Sequence, residues 1–248
     1  MTYNSLCKLY NIKKSVIELI TDSEKDLVEK FKNLDEIQED NFYKVVKAFQ
    51  DNRVNYSHFY WNTGYGYNDS GREVLEKVYS HYFKTEDSIV RPIIASGTHA
   101  LYLTVSGLLK YGDEVISISG DPYDTMMTIL GEKGNESNNL KELGIKYKKI
   151  DLLDNKDFDY KEIEKKVSEN TKMVMIQRSM GYSSRRSLSI NAIKKAIEFV
   201  KKINNNIIIM VDNCYGEFVE NNEPSHVGAD VVVGSLIKNP GGGLALSG

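Results

Sequence analysis

The residues of this chain that could do chemistry stand just after short β-branched runs. Ile207 to Val211 is a wholly apolar run, and Asp212 follows at once. A carboxylate there loses water on burial, and the position is costly unless a cation or several hydrogen-bond donors meet it. Val231 to Ser235 is followed by Lys238 and then Pro240-Gly241-Gly242-Gly243, which puts an amine just past a buried strand. Ser96-Gly97-Thr98-His99 is a small-residue turn opening a helical pattern, where free backbone N–H groups and the positive helix end suit a phosphate. Ser119-Gly120-Asp121-Pro122-Tyr123 brings a tyrosine to the same kind of place, and its ring could stack on a flat ligand. Each has a plainer reading when taken alone. Ser96, Thr98 and Asp212 are good helix or turn caps, Tyr123 is one of 16 tyrosines, and Lys238 could be an exposed loop residue. Together they make a phosphate anchor, a ring platform, a carboxylate and an amine. Pyridoxal phosphate requires these parts: a held phosphate, a lysine for the Schiff base, and an acid at the ring nitrogen that keeps the ring an electron sink.

Elements must hold these residues in place. Beyond Gly71 the pattern alternates short β-branched runs with helical stretches. The expected strands are Val90 to Ala95, Glu114 to Ser119, Ile145 to Ile150, Met173 to Gln177, Ile207 to Val211 and Val231 to Ser235. Helical periodicity covers Thr98 to Leu109, Tyr160 to Val167 and Asn191 to Ile203. This alternation calls for an α/β fold with a mostly parallel sheet covered by helices on both faces. In such sheets ligands bind outside the carboxyl ends of the strands, where the residues above stand. Upstream, Val16, Ile20, Leu27, Phe31 and Leu34, then Phe42, Val45, Val46 and Phe49, recur at helical spacing, with a break expected near Asn33 to Asn41. An aromatic and glycine-rich loop follows from Tyr56 to Gly71. The reading divides the chain into a helical arm and aromatic loop, residues 1–70, and a large cofactor-binding domain, residues 71–248.

Composition narrows the class. The 32 Lys and Arg against 35 Asp and Glu leave a formal charge of −3, which argues against nucleic acid or acidic lipid as a partner. Cys7 and Cys214 cannot make a disulfide framework, and His58, His81, His99 and His226 are scattered, so no metal site is expected. The first 20 residues lack the unbroken apolar stretch of a signal peptide, and a cytoplasmic location is the expectation. No Gly-x-Gly-x-x-Gly follows a strand, which argues against a nicotinamide oxidoreductase.

Five motifs carry a resemblance over nearly the whole chain: Tyr65-Gly66-Tyr67-Asn68-Asp69-Ser70-Gly71-Arg72, Ser96-Gly97-Thr98-His99-Ala100, Gln177-Arg178-Ser179-Met180-Gly181-Tyr182, Val211-Asp212-Asn213-Cys214-Tyr215-Gly216-Glu217-Phe218, and Gly234-Ser235-Leu236-Ile237-Lys238-Asn239-Pro240-Gly241-Gly242-Gly243. They resemble the aluminium-resistance protein family, which is methionine γ-lyase-like and belongs to the fold-type-I pyridoxal-phosphate enzymes of the aspartate aminotransferase superfamily. The resemblance implies Lys238 as Schiff-base lysine and proton shuttle, Asp212 at the ring nitrogen and Tyr123 stacked on the ring. It also implies Gly97, Thr98 and Ser235 at the phosphate, and Arg178 near the cofactor or the substrate carboxylate. In related lyases a Tyr-x-Arg pair reaches the neighbouring subunit's phosphate. Here Tyr65-Gly66-Tyr67 has no arginine at that spacing, so the crossing residue is Tyr65 or Tyr67. The implied activity is carbon–sulfur lysis of a sulfur amino acid by a homodimer or homotetramer. An aminotransferase, a decarboxylase or a non-catalytic binding module on the same fold are the rivals. The superfamily continues well past the lysine, so the chain is expected to be a fragment that is inactive and poorly folded by itself.

Overall fold

A computed structural model describes residues 3–61 and 69–244. Tyr65 and Tyr67 lie outside the described residues. The chain divides into two units, Met1–Tyr43 and Lys44–Gly248.

The first unit is helical. Helix α1 spans Tyr3–Tyr10, and α2 runs from Lys14 to Asp51, its last turns belonging to the second unit. The break expected near Asn33 to Asn41 does not occur. That stretch holds no glycine or proline, and asparagine and aspartate inside a helix each cost only about 0.7 kcal/mol relative to alanine, too little to stop one. Leu19, Val28, Phe31 and Leu34 remain exposed along α2.

The second unit is the α/β body. It opens inside α2 at Lys44, whereas the change of sequence pattern falls at Gly71. Helix α3 (Ser70–Phe83) contributes Val78 and Tyr82 to a small cluster with Ala48, beside Phe218. Then follow α4 (Gly97–Leu108), β1 (Glu114–Ser117), α5 (Asp124–Leu130), β2 (Lys146–Lys149), α6 (Tyr160–Lys166), β3 (Thr171–Gln177), α7 (Ile190–Ile203), β4 (Ile208–Asp212) and β5 (Val231–Val233). The five strands are all parallel, in the order β2-β1-β3-β4-β5.

Alternation along the strands explains the two cores. Ile116, Val174, Ile176, Ile209 and Val211 point to one face, against Ile163 of α6 and Ile193, Ala196, Ile197 and Val200 of α7. Their neighbours Val115, Met173, Met175, Met210 and Val233 point to the other, against Leu101 and Val105 of α4 and Met126 and Leu130 of α5. Successive side chains of a strand face opposite ways, so both faces are apolar only where both are covered. The connections reverse direction between β1 and β3: β1 to β2 moves outward under α5, and β2 to β3 returns past β1 under α6. Right-handed crossovers place those helices on opposite faces, which opens a crevice at the carboxyl ends of β1 and β3.

One expected strand is missing. Residues 90–95 form no ladder, and Ile94 N–H instead closes a turn onto Arg91 O at 3.0 Å. A strand requires a hydrogen-bonding neighbour, and among the described residues the free edge of β5 pairs with nothing. Local β-branched composition cannot supply that partner.

Candidate active site

Register brings the chemistry to one edge. Gln177 lies opposite Asp212, and Asp212 opposite Val233, so the ends of β3, β4 and β5 are level. Beyond β5 the chain turns tightly, with Lys238 N–H on Ser235 O at 3.0 Å and Gly242 N–H on Lys238 O at 2.8 Å. Gly242 and Gly243 take φ of 56° and 81°, the left-handed region that ends such a turn and that favours glycine. The turn returns Lys238 over the end of β4.

A cavity of about 980 Å³ opens there, and its wall includes Tyr123, Gln177, Arg178, Asp212, Cys214, Tyr215 and Lys238. Asp212 is 4% exposed, and its Oδ1 accepts Cys214 N–H at 3.0 Å. Burial pushes its carboxyl up, and the Cys214 donors, Lys238 and the nearby Arg185 only partly offset this. Burial pulls Lys238 down, but the Cys214 thiol, Asp212 and Tyr215 outweigh it and leave the amine raised, holding its proton. Its Nζ lies 4.2 Å from the centroid of the Tyr215 ring, a cation–π contact. Cys214, buried and adjacent to Asp212, has its thiol pushed well up by burial and by that carboxylate.

Tyr123 is braced at both ends. Its N–H donates to Gln177 Oε1 at 2.9 Å, and its hydroxyl donates to Thr98 Oγ1 at 2.8 Å. The ring is thus strung between the end of β3 and the start of α4. Ser96 caps that helix by accepting His99 N–H at 3.2 Å. Gly97 sits so close to the lysine loop that a Cβ would meet Ser235 Cβ at 2.8 Å and Cys214 Sγ at 3.4 Å. Gly97, Thr98 and Ser235 therefore meet behind Tyr123 and Cys214, although they are not among the residues lining the cavity.

Arg178 lines the cavity too, but its terminal nitrogens are engaged. Nη1 donates to Asn213 Oδ1 at 2.8 Å and Gly216 O at 2.6 Å, and Nη2 pairs with Glu220 at 2.8 Å. Only 3% exposed, it ties β3 to the turn after β4, which is the work of a clamp. Sequence reasoning missed this network, and it missed the contacts of Cys214, Tyr215 and Gln177. The signal available was proximity: all three adjoin residues already singled out.

A pyridinium ring with a phosphate arm fits these residues. They bring together a buried carboxylate lacking a full cation, a braced tyrosine ring, an amine, and a glycine cradle that a side chain would fill. The fold is that of an α/β protein of the aspartate aminotransferase-like, fold-type-I class. The sequence profile of the methionine gamma-lyase family matches residues 16–248, and the chain belongs to that family. A protein of Listeria innocua, named as a candidate cystathionine beta-lyase involved in aluminium resistance, is 50% identical with a TM-score of 0.91 over 94% of this chain and 57% of its own. A carbon–sulfur lyase of Clostridium novyi, also named for aluminium resistance, is 44% identical with a TM-score of 0.94 over 100% of this chain and 60% of its own. The uncharacterized protein YnbB of Bacillus subtilis is 46% identical over 96% of this chain and 56% of its own length. The chain thus spans between half and two thirds of these relatives. A more distant structure, an O-acetylhomoserine (thiol)-lyase assignment from Campylobacter jejuni at 26% identity and a TM-score of 0.54, carries a pyridoxyl-lysine phosphate. Among the described residues no helix is long and apolar enough to cross a membrane.

Proposed function

We propose that this chain is the cofactor-binding part of a pyridoxal-phosphate-dependent carbon–sulfur lyase acting on a sulfur amino acid, in a cytoplasmic homodimer or homotetramer. The observation that carries the reading is the convergence of Asp212, Tyr123 and Lys238 on one cavity at the carboxyl edge of the sheet. The names borne by the relatives support the lyase class.

When bound, the cofactor supplies an electron sink for charge developing on the substrate Cα. Asp212 would hold a proton on the ring nitrogen, and a cation there would offset the burial cost of its carboxylate. Tyr123, fixed at both ends, orients the ring face. Gly97, Thr98 and Ser235 hold the phosphate with N–H and O–H donors at the start of α4. Lys238 would hold the cofactor through its amine, and its Nζ is placed to take the substrate Cα proton and to return a proton to the departing sulfur.

Borohydride reduction of the cofactor-loaded protein should leave a pyridoxyl group on Lys238, mapped by peptide mass spectrometry. A keto-acid and thiol assay with methionine, homocysteine and cystathionine should show release of both products. A pyridoxyl group on another lysine sinks the site. Cofactor binding without turnover of any sulfur amino acid sinks the reaction.

A further inference from the structure

Gln177 is 4% exposed at the end of β3, and its polar atoms tie several segments together. Its main-chain N–H donates to Ser119 Oγ at 2.9 Å, just beyond β1. Its Oε1 accepts Tyr123 N–H at 2.9 Å, and its Nε2 donates to Ser179 O at 3.1 Å. Its carbonyl accepts Arg185 Nη2 at 2.6 Å, and the same nitrogen donates to Ser179 O. Arg185 is itself buried, and its Nη1 donates to Arg186 O at 3.3 Å. That guanidinium therefore closes the segment from Arg178 to Arg186, part of the cavity wall, back onto the residue that carries the amide.

The amide has one orientation that works. Tyr123 N–H only donates and Ser179 O only accepts, so the oxygen must face Tyr123 and the nitrogen Ser179. An ionised carboxylate at this position would lack the donor, and an apolar side chain would lack both groups. Tyr123 depends on that oxygen. Pro122 before it has no N–H to anchor the loop, and the Tyr123 carbonyl is taken by Met126 N–H at 2.9 Å at the start of α5. Thr98 holds the ring at its hydroxyl, so the Gln177 amide is what fixes the backbone end of Tyr123 to the sheet. With that end released, the ring is free to pivot about the Thr98 bond.

We propose that Gln177 is a positioning residue for the Tyr123 ring, its amide setting the angle and offset at which that ring meets a flat cofactor. The idea rests on Tyr123 being the ring platform of the reading above. Stacked rings attract best in a limited set of offsets and tilts, so a platform held at one end only loses part of its worth.

Circular dichroism of the bound cofactor tests this, because its visible band takes its optical activity from the groups packed around the ring. The protein is loaded with pyridoxal phosphate, and the ellipticity is divided by the amount bound, counted as borohydride-reduced adduct by mass spectrometry. Gln177→Met, of similar length but without either polar group, should lower the ellipticity per bound cofactor and weaken cofactor affinity roughly three- to tenfold, the worth of a well-placed aromatic stack. The same change made in Tyr123→Leu should lower the ellipticity no further, since a role exercised through the ring disappears with the ring. Unchanged ellipticity in Gln177→Met overturns the proposal, and so does an equal drop in the Tyr123→Leu background. Should Gln177→Met lose cooperative unfolding, Gln177→Asn, which keeps the amide but withdraws it from Tyr123, decides: a lowered ellipticity supports the proposal and a wild-type value overturns it. A wild type that takes up no cofactor overturns the reading above and this role with it, whereas uptake with unchanged ellipticity in the variant overturns this role alone.

Discussion

Replacing Arg178 with alanine should unfold the second unit's polar core rather than merely weaken ligand binding. The guanidinium is 3% exposed and holds Asn213, Gly216 O and Glu220, and it stands 3.6 Å from Glu223, which is fully buried. Removing one partner of a buried ionic network costs about 3–5 kcal/mol, because the remaining charge stays desolvated without its counter-charge. That is a large share of the roughly 5–15 kcal/mol that holds a domain together. The deficit should also depend on pH. Burial already pushes the Glu223 carboxyl up, and Arg178 is among the groups pulling it back down. In the variant the folded-state pKa rises further above the unfolded one, so stability is kept in acid and lost as pH climbs through the folded pKa. The gap between wild type and Arg178→Ala should therefore widen as pH rises above the ordinary glutamate range. Urea unfolding across that rise measures it. If the variant keeps stability within about 1 kcal/mol of wild type yet loses affinity for an amino-acid ligand, the clamp argument fails and Arg178 contacts the ligand directly.

Two further outcomes follow from the same geometry. Gly97→Ala places a methyl 2.8 Å from Ser235 Cβ, so α4 and the lysine loop must separate; a destabilisation of about 1–3 kcal/mol is expected, with at least a tenfold loss of pyridoxal-phosphate affinity by spectral titration, and unchanged affinity would remove the phosphate cradle from this turn. Asp212→Asn keeps size and shape but removes the charge that the proposed function sets at the ring nitrogen, so the cofactor should still bind while turnover falls by orders of magnitude; near-normal rates would make Asp212 a structural cap.

Much of this site is legible in the chain because it is written locally. An apolar run ending in Asp212, another followed by Lys238 and glycines, and a small-residue helix start each show their element and their chemistry within a few residues. The period of the strands places both cores, and the carboxyl-end rule says where to look. What local pattern cannot contain is pairing. Val90 to Ala95 reads as a strand, yet a strand exists only beside a neighbour, and here the segment turns. Asn33 to Asn41 reads as a break, yet a helix without glycine or proline passes through it. Arg178 reads as a ligand residue, and only the approach of the 213–223 turn shows its nitrogens already engaged. Glu217 stands in one of the motifs that carry the resemblance, yet only the tertiary structure shows its carboxylate buried with no hydrogen-bond partner among the described residues. The sequence by itself determined which chemical groups stand at the strand ends; the tertiary structure alone decided which of them are satisfied and which stay unpaired, since hydrogen bonding and desolvation depend on residues far apart in the chain.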